Sequence, residues 1–211
     1  MSDTAVVSNK LAVVATIKEG ISIGIKNIGP ILVNVFLYLV TIWIPYLNVG
    51  TTIGLSVGIV TKASRGEAIS MTEIFDPKYR KYMGEYFLVS GLVGLGVGIG
   101  LVFFIIPGYV IAIAWGLAAL LVVDKGKNPT EAITMSNNLT YGYKWKMVWI
   151  YLLAFLAFLI VMCIFMGIGS AINNVTAMRC MTFLVVLLAI FEIFIFLGLQ
   201  ASIYKQLTEG V

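Results

Sequence analysis

The sequence predicts an all-α integral membrane protein, with six transmembrane helices in three hairpins, each hairpin preceded by an amphipathic interfacial helix. Three observations predict it. Of 211 residues, 60% are hydrophobic and 11% charged, whereas soluble domains carry about a quarter charged residues and cannot bury so much apolar surface. No Asp, Glu, Lys or Arg occurs from Asn27 to Thr61, from Tyr86 to Val123 or from Met147 to Met178, and Cys180 to Tyr204 holds one, Glu192. Each stretch exceeds the roughly 20 apolar residues that cross a bilayer. Third, the cations fall almost entirely on one side of the expected topology, as set out below.

Taken in chain order, the first interfacial helix is expected over about 8–28. Val14, Ile17, Ile21, Ile25 and Ile28 recur at steps of three and four, opposed by Lys18, Glu19, Ser22 and Lys26, the spacing of one helical face. Lys18 and Glu19 inside this apolar segment also argue against a cleaved signal. Spans follow at about 30–45 and 47–62, with Pro45 to Asn48 at the reversal. A second interfacial helix, about 70–86, carries the aromatic stripe Phe75, Tyr79, Tyr82 and Tyr86, and Ser70-Met71-Thr72-Glu73 reads as a capping box at its start. The 38 residues from Tyr86 to Val123 measure about 57 Å as one helix, nearly twice the hydrocarbon layer. Pro107-Gly108 therefore supplies a turn between spans at about 87–106 and 108–123.

The third interfacial helix, about 129–146, begins with Asn128 as cap, Pro129 at the first helical position and Glu131 three residues after the cap. Its apolar positions are Ala132, Met135, Leu139 and Tyr143, with Gly142 a weak point. Spans at about 147–171 and 181–204 complete the chain. Ser8, Ser70 and Asn128 start the three units, so a helix-plus-hairpin rhythm runs through the sequence. With six spans, Lys10, Lys18, Lys26, Lys62, Arg65, Lys78, Arg80, Lys81, Lys125, Lys127, Lys144, Lys146 and Lys205 share one face and Arg179 stands alone opposite, a 13 to 1 split. The positive-inside rule then puts both termini in the cytoplasm, in the cytoplasmic (inner) membrane.

Several function classes are excluded or demoted. With no histidine, catalytic triads and imidazole-bound metals are absent; no cofactor, metal or nucleic-acid partner is expected, and Cys163 and Cys180 are too few for a disulfide framework. "GLVGLGVGIG" at 91–100 lacks the strand and helix start of a nucleotide loop. Gly50, Gly54 and Gly58, with Gly94 and Gly98 (or Gly96 and Gly100), are instead expected to pack spans two and three closely. Glu192, midway between Arg179 and Lys205, is the strongest site candidate, because an ionised acid near the bilayer centre costs about 2.5 to 3.5 kcal/mol. Asn34 and Ser90 are further intramembrane polar candidates. Lys78, Arg80, Lys81, Lys144 and Lys146 are candidates for contact with anionic lipid heads. Asp124 to Lys127, "DKGK", reads as a solvated turn.

The strings "RGEAISMTEIFD" (65–76), "FFIIPGYVIAIAW" (103–115) and "VVDKGKNPTEAITMSNNLTYGYKWK" (122–146) resemble a group of uncharacterised bacterial multi-pass proteins that includes the membrane domain of some glycerophosphoryl diester phosphodiesterases. The resemblance implies a six-span fold with interfacial helices and no reaction. The expectation is therefore a non-enzymatic membrane protein that interacts with lipids or scaffolds and assists other membrane proteins, with a membrane-protein partner or a homo-oligomer in view. The alternative is a channel or secondary transporter with Glu192 on its pathway.

Overall fold

A computed structural model describes residues 11–171 and 175–209. Within them the chain is helical and contains no strand. Helices α1 (Val13–Lys26) and α2 (Ile28–Thr41) meet at Asn27 with a bend of 70°. A turn at 42–44 leads into α3 (Pro45–Ile53), a π-helical turn at Gly54–Gly58 and α4 (Ile59–Ser64). After a loop, a single 3-10 turn (Glu73–Phe75) and the short α5 (Lys78–Lys81) precede α6 (Met83–Phe103), α7 (Ile105–Trp115), α8 (Ala118–Lys125), α9 (Pro129–Thr140), α10 (Lys144–Ala171) and α11 (Val175–Thr208).

Helices α6, α7 with α8, α10 and α11 are long and apolar enough to cross a membrane, and the bent pair α1 and α2 makes a fifth if it is one broken span. This is the architecture of a helical, multi-pass membrane protein. Six spans were expected; α2, with 14 residues, reaches only about 21 Å.

Several boundaries differ from the sequence reading, each for a local reason. The 70–86 helix does not form. Asp76 is extended (φ −57°, ψ 122°) because it precedes Pro77, whose ring disfavours the helical region for its neighbour. The Ser70 and Glu73 capping contacts exist, with the Ser70 N–H donating to Glu73 at 3.3 Å, but they cap one 3-10 turn. The 129–146 helix ends at Thr140, where Gly142 takes φ +82°. Ser8 lies outside the described residues. Pro45 opens α3 rather than sitting in the reversal. Pro107 and Gly108 lie inside the first turn of α7, where a missing donor costs nothing; the reversal is at extended Phe104 (φ −162°, ψ 150°). Gly108 serves proximity instead, since a Cβ there would meet Leu101, and one on Gly100 would lie 2.8 Å from Gly108 Cα.

Packing is concentrated at one end. Leu197, Leu199, Ala201, Ile203, Tyr204 and Leu207, in the last third of α11, are buried together with Ile59, Val60, Leu117, Leu121 and Val122. Beyond that layer the apolar helices stand bare, as at Phe103, Phe155, Ile160 and Phe183. Soluble folds hide such surface; here lipid is its natural solvent.

The amphipathic helices dock in a way their apolar stripes do not suggest. In α1 the buried residues are Thr16, Gly20 and Gly24, while Val14 is 64% and Ile25 50% exposed. A Cβ on Gly20 would sit 2.8 Å from Leu199 Cα, and one on Gly198 2.8 Å from the Gly24 nitrogen. α1 therefore lies backbone to backbone on α11, the small-residue packing of membrane helices. In α9 the buried stripe is Ala132, Ser136 and Thr140. Ser136 bridges the break between α7 and α8: its hydroxyl accepts from the Leu117 N–H (3.1 Å) and donates to the Ala114 carbonyl (2.7 Å).

Ion pairs tie the packed end together across all three units. Lys62 and Lys78 reach Glu73 at 2.8 and 3.2 Å, Arg65 pairs with Asp124, Tyr204 donates to Asp124 at 2.7 Å, and Lys205 pairs with Glu19 at 2.8 Å. Asp124, expected in a solvated turn, is only 10% exposed, because α4 and α11 converge on it.

Candidate functional site

The three intramembrane polar candidates do not converge. Asn34, fully buried in α2, donates to the carbonyls of Pro30 and Ser70 (both 2.8 Å) and accepts from the Ile74 N–H at 3.0 Å. It pins the 70–75 segment against α2. Every polar atom of its amide is used, so its role is to hold the loop. Ser90, half-buried on α6, stands outside the grooves around Glu192.

The pinned segment packs on glycines. A Cβ at Gly54 would be 2.7 Å from Ile74 Cα and one at Gly50 2.9 Å from Arg80 Cγ, while Gly58 lies under the Tyr79 ring. The Gly50, Gly54 and Gly58 stripe thus contacts residues 74–80 and not span three. Gly94 and Gly98 have open space around them; on α6 it is Gly96, under Trp115, and Gly100, against Gly108, that lie close to α7. Glu73 is the polar centre of this region. Its side chain is 2% exposed and accepts from Lys62, from Lys78 and from the Tyr79 hydroxyl at 2.6 Å. Burial would push its carboxyl up; Lys62, Tyr79 and Lys78 outweigh that and hold it below the ordinary value.

Glu192 has the opposite environment. It lies 13 residues from Arg179 and 13 from Lys205, about 20 Å from each along α11, so the two cations are separated by about the full thickness of a bilayer with its headgroups. Its side chain opens into two grooves along the α10 and α11 seam. One, about 410 Å³, is closed on its third side by Ile17 and Ile21 of α1; the other, about 420 Å³, is lined by Tyr151, Phe155 and Phe196. Ala154 belongs to both, with Ala157 and Ala189 in one each. Glu192 is the sole charged residue in either groove. Among the described residues it has neither hydrogen-bond nor ion-pair partner.

The basic candidates are partly committed. Lys78 bonds Glu73 and Asp76 (2.9 Å), Lys144 donates to Asn137 at 3.1 Å, Arg80 lies over the Tyr46 ring at 5.9 Å, Lys81 over Tyr82 at 5.7 Å and Lys146 over Tyr143 at 5.5 Å. Trp43, Tyr46, Trp145 and Trp149 are all exposed, as boundary aromatics are. Among the described residues no group of three or more Cys, Asp or Glu is placed to hold a metal.

What the residues bring together is thus a helical membrane fold with one bare carboxylate in an apolar seam, flanked by cationic ends. No family model, no curated protein and no solved structure matches this chain.

Two features escape a reading by apolar periodicity. The α1 and α11 contact is written in Gly20-x-x-x-Gly24 and Gly198, a small-residue spacing that the larger isoleucine stripe overshadows. The Ser136 bridge has no sequence signal, because it depends on a break in another helix.

Proposed function

We propose that the chain is a six-span protein of the cytoplasmic membrane, with both termini in the cytoplasm, that acts without catalysis by engaging lipids and holding neighbouring membrane proteins. In this reading α2 and the arm from Pro45 to Ser64 form the first hairpin, and the ion-paired end is the cytoplasmic one, in keeping with the 13 to 1 distribution of cations. The likeness to the phosphodiesterase membrane domains fits a membrane unit with no reaction of its own.

The observation that carries the reading is the orientation of α1. Its small face is spent on α11, so Val14, Ile25 and Ile28 point away from the protein with Lys18 and Lys26 beside them, the arrangement of a helix that meets lipid. Each basic side chain near an anionic surface is worth about 1 kcal/mol. Because Lys78 is already committed to Glu73 and Asp76, changing Lys78, Arg80 and Lys81 together to Gln removes two such contributions in effect. Retention of phosphatidylglycerol in native mass spectrometry then falls about thirtyfold. Unchanged retention removes the lipid reading.

Glu192 supports a second reading, a channel or secondary transporter whose pathway uses the seam between α10 and α11. An acid at mid-depth facing open grooves is the specific observation. Solute or proton flux in liposomes that persists unchanged in Glu192→Gln eliminates it.

A further inference from the structure

The seam around Glu192 presents a carboxylate that the protein itself leaves without a counter-ion. An ionised acid at this depth is costly, and nothing in either groove offsets it. Its position limits what can. Glu192 lines both grooves, so the carboxylate lies in the seam between α10 and α11 and not on the outer surface of the pair. The neighbours at that level are small, Ala154 and Ala157 on α10 and Ala189 on α11, which is why space remains on either side. The rims are exposed apolar side chains, Leu153 and Val161 on one groove and Phe155, Ile193 and Phe196 on the other. Each volume falls within the range of about 300 to 1,000 Å³ typical of small-ligand sites.

A second copy of this chain is a poor occupant. None of its four apolar stretches contains a Lys or Arg, so a neighbouring copy has no cation to bring to mid-depth.

We propose that this seam binds an amphiphile with a cationic head, a long-chain amine, its ammonium against the Glu192 carboxylate and its chain lying in a groove between α10 and α11. The ligand enters sideways from lipid, apolar chain against apolar rim, and the carboxylate selects the head by charge. Selection of a cationic amphiphile is the reverse of what the basic cytoplasmic belt selects, so the two sites are separable by headgroup. The inference rests on the second reading only in taking Glu192 as a ligand-facing group; it requires binding, not flux.

The test uses the full chain in phosphatidylcholine nanodiscs, which keep anionic lipid out. Photoreactive hexadecylamine, hexadecanol and palmitate, each with a diazirine on the chain, are compared for half-saturating concentration, and the labelled peptides are mapped. The amine is expected to label peptides of α10 and α11 near Ala154 and Glu192, at about ten- to a hundredfold lower concentration than the alcohol. Glu192→Gln, neutral and of the same shape, brings the amine to the level of the alcohol; Ala154→Phe, which fills both grooves, abolishes labelling by either. Equal labelling by amine and alcohol in the wild type overturns the inference. So does a monomer–dimer equilibrium that shifts in Glu192→Gln with no ligand preference, because the acid is then covered by another chain. Amine preference without flux supports the inference and removes the transport reading. Flux lost in Glu192→Gln without amine preference overturns the inference while transport stands.

Discussion

Replacing Gly20 by Ala tests how α1 is held. A Cβ at this position lies 2.8 Å from Leu199 Cα and 2.9 Å from its nitrogen, where ordinary contacts begin at 3.4 Å. The shortfall of 3.4 − 2.8 = 0.6 Å is against backbone, so no side-chain rotation relieves it and the helices must separate. A gap of 0.5 to 1 Å forfeits about a quarter to a half of each dispersion contact, and overpacking of this kind costs about 1 to 3 kcal/mol. The same widening strains Glu19, which accepts from Ser202, Lys205 and Gln206 at 2.7 to 2.8 Å across this interface. The control is Gly94→Ala, also within a helix but with open space around the new Cβ; it is neutral or gains about 0.5 to 1 kcal/mol from reduced backbone freedom in the unfolded chain. Thermal unfolding in a mild detergent, with hydrogen exchange over residues 13–26, separates the two. If Gly20→Ala is as harmless as Gly94→Ala and exchange in α1 is unchanged, the close packing of α1 on α11 is refuted.

Other predictions follow from buried polar groups. Ser136→Ala strands the Leu117 N–H and weakens the hold on Ala114, which keeps only Thr140 at 3.4 Å; the cost is about 1 to 3 kcal/mol, seen as faster exchange at Leu117 and a lower unfolding temperature. No change in either measurement dismisses the bridge. Glu73→Gln loses about 1.5 to 3 kcal/mol at neutral pH, and the loss depends on pH. Because the folded carboxyl is held below its ordinary 4.5, the stabilisation is complete above about pH 4.5 and disappears as pH falls through the lower folded value. The difference between wild type and variant therefore closes on acidification; a difference constant down to strongly acidic pH contradicts the ion-pair account.

Local chemistry made part of this legible. The Asn128 cap, accepting from the Glu131 N–H at 2.9 Å, and Pro129 at the first position of α9 stand where the sequence places them, since caps involve residues three apart. The long charge-free runs likewise became α6, α10 and α11. Boundaries failed where two local signals competed: Ser70 and Glu73 announce a helix, but Asp76-Pro77 ends it within one turn. The faces failed for a different reason. Periodicity marks Val14, Ile17, Ile21, Ile25 and Ile28 as the side to bury, and in water that side packs inward. In lipid, large apolar side chains gain nothing by leaving the solvent, so shape decides and the glycines go inside.

The sequence alone determined that this is a helical membrane chain, because apolar length and the exclusion of charge are one-dimensional properties. It also marked Glu192 as the acid without company, since no basic residue occurs within its span. Only the tertiary structure decided that Asn34 and Glu73 are occupied in holding a loop, that α1 rides on α11 through glycine, and that Glu192 opens into two grooves. Each depends on which helices meet and at what distance, and close approach in lipid is set by side-chain shape on both partners at once.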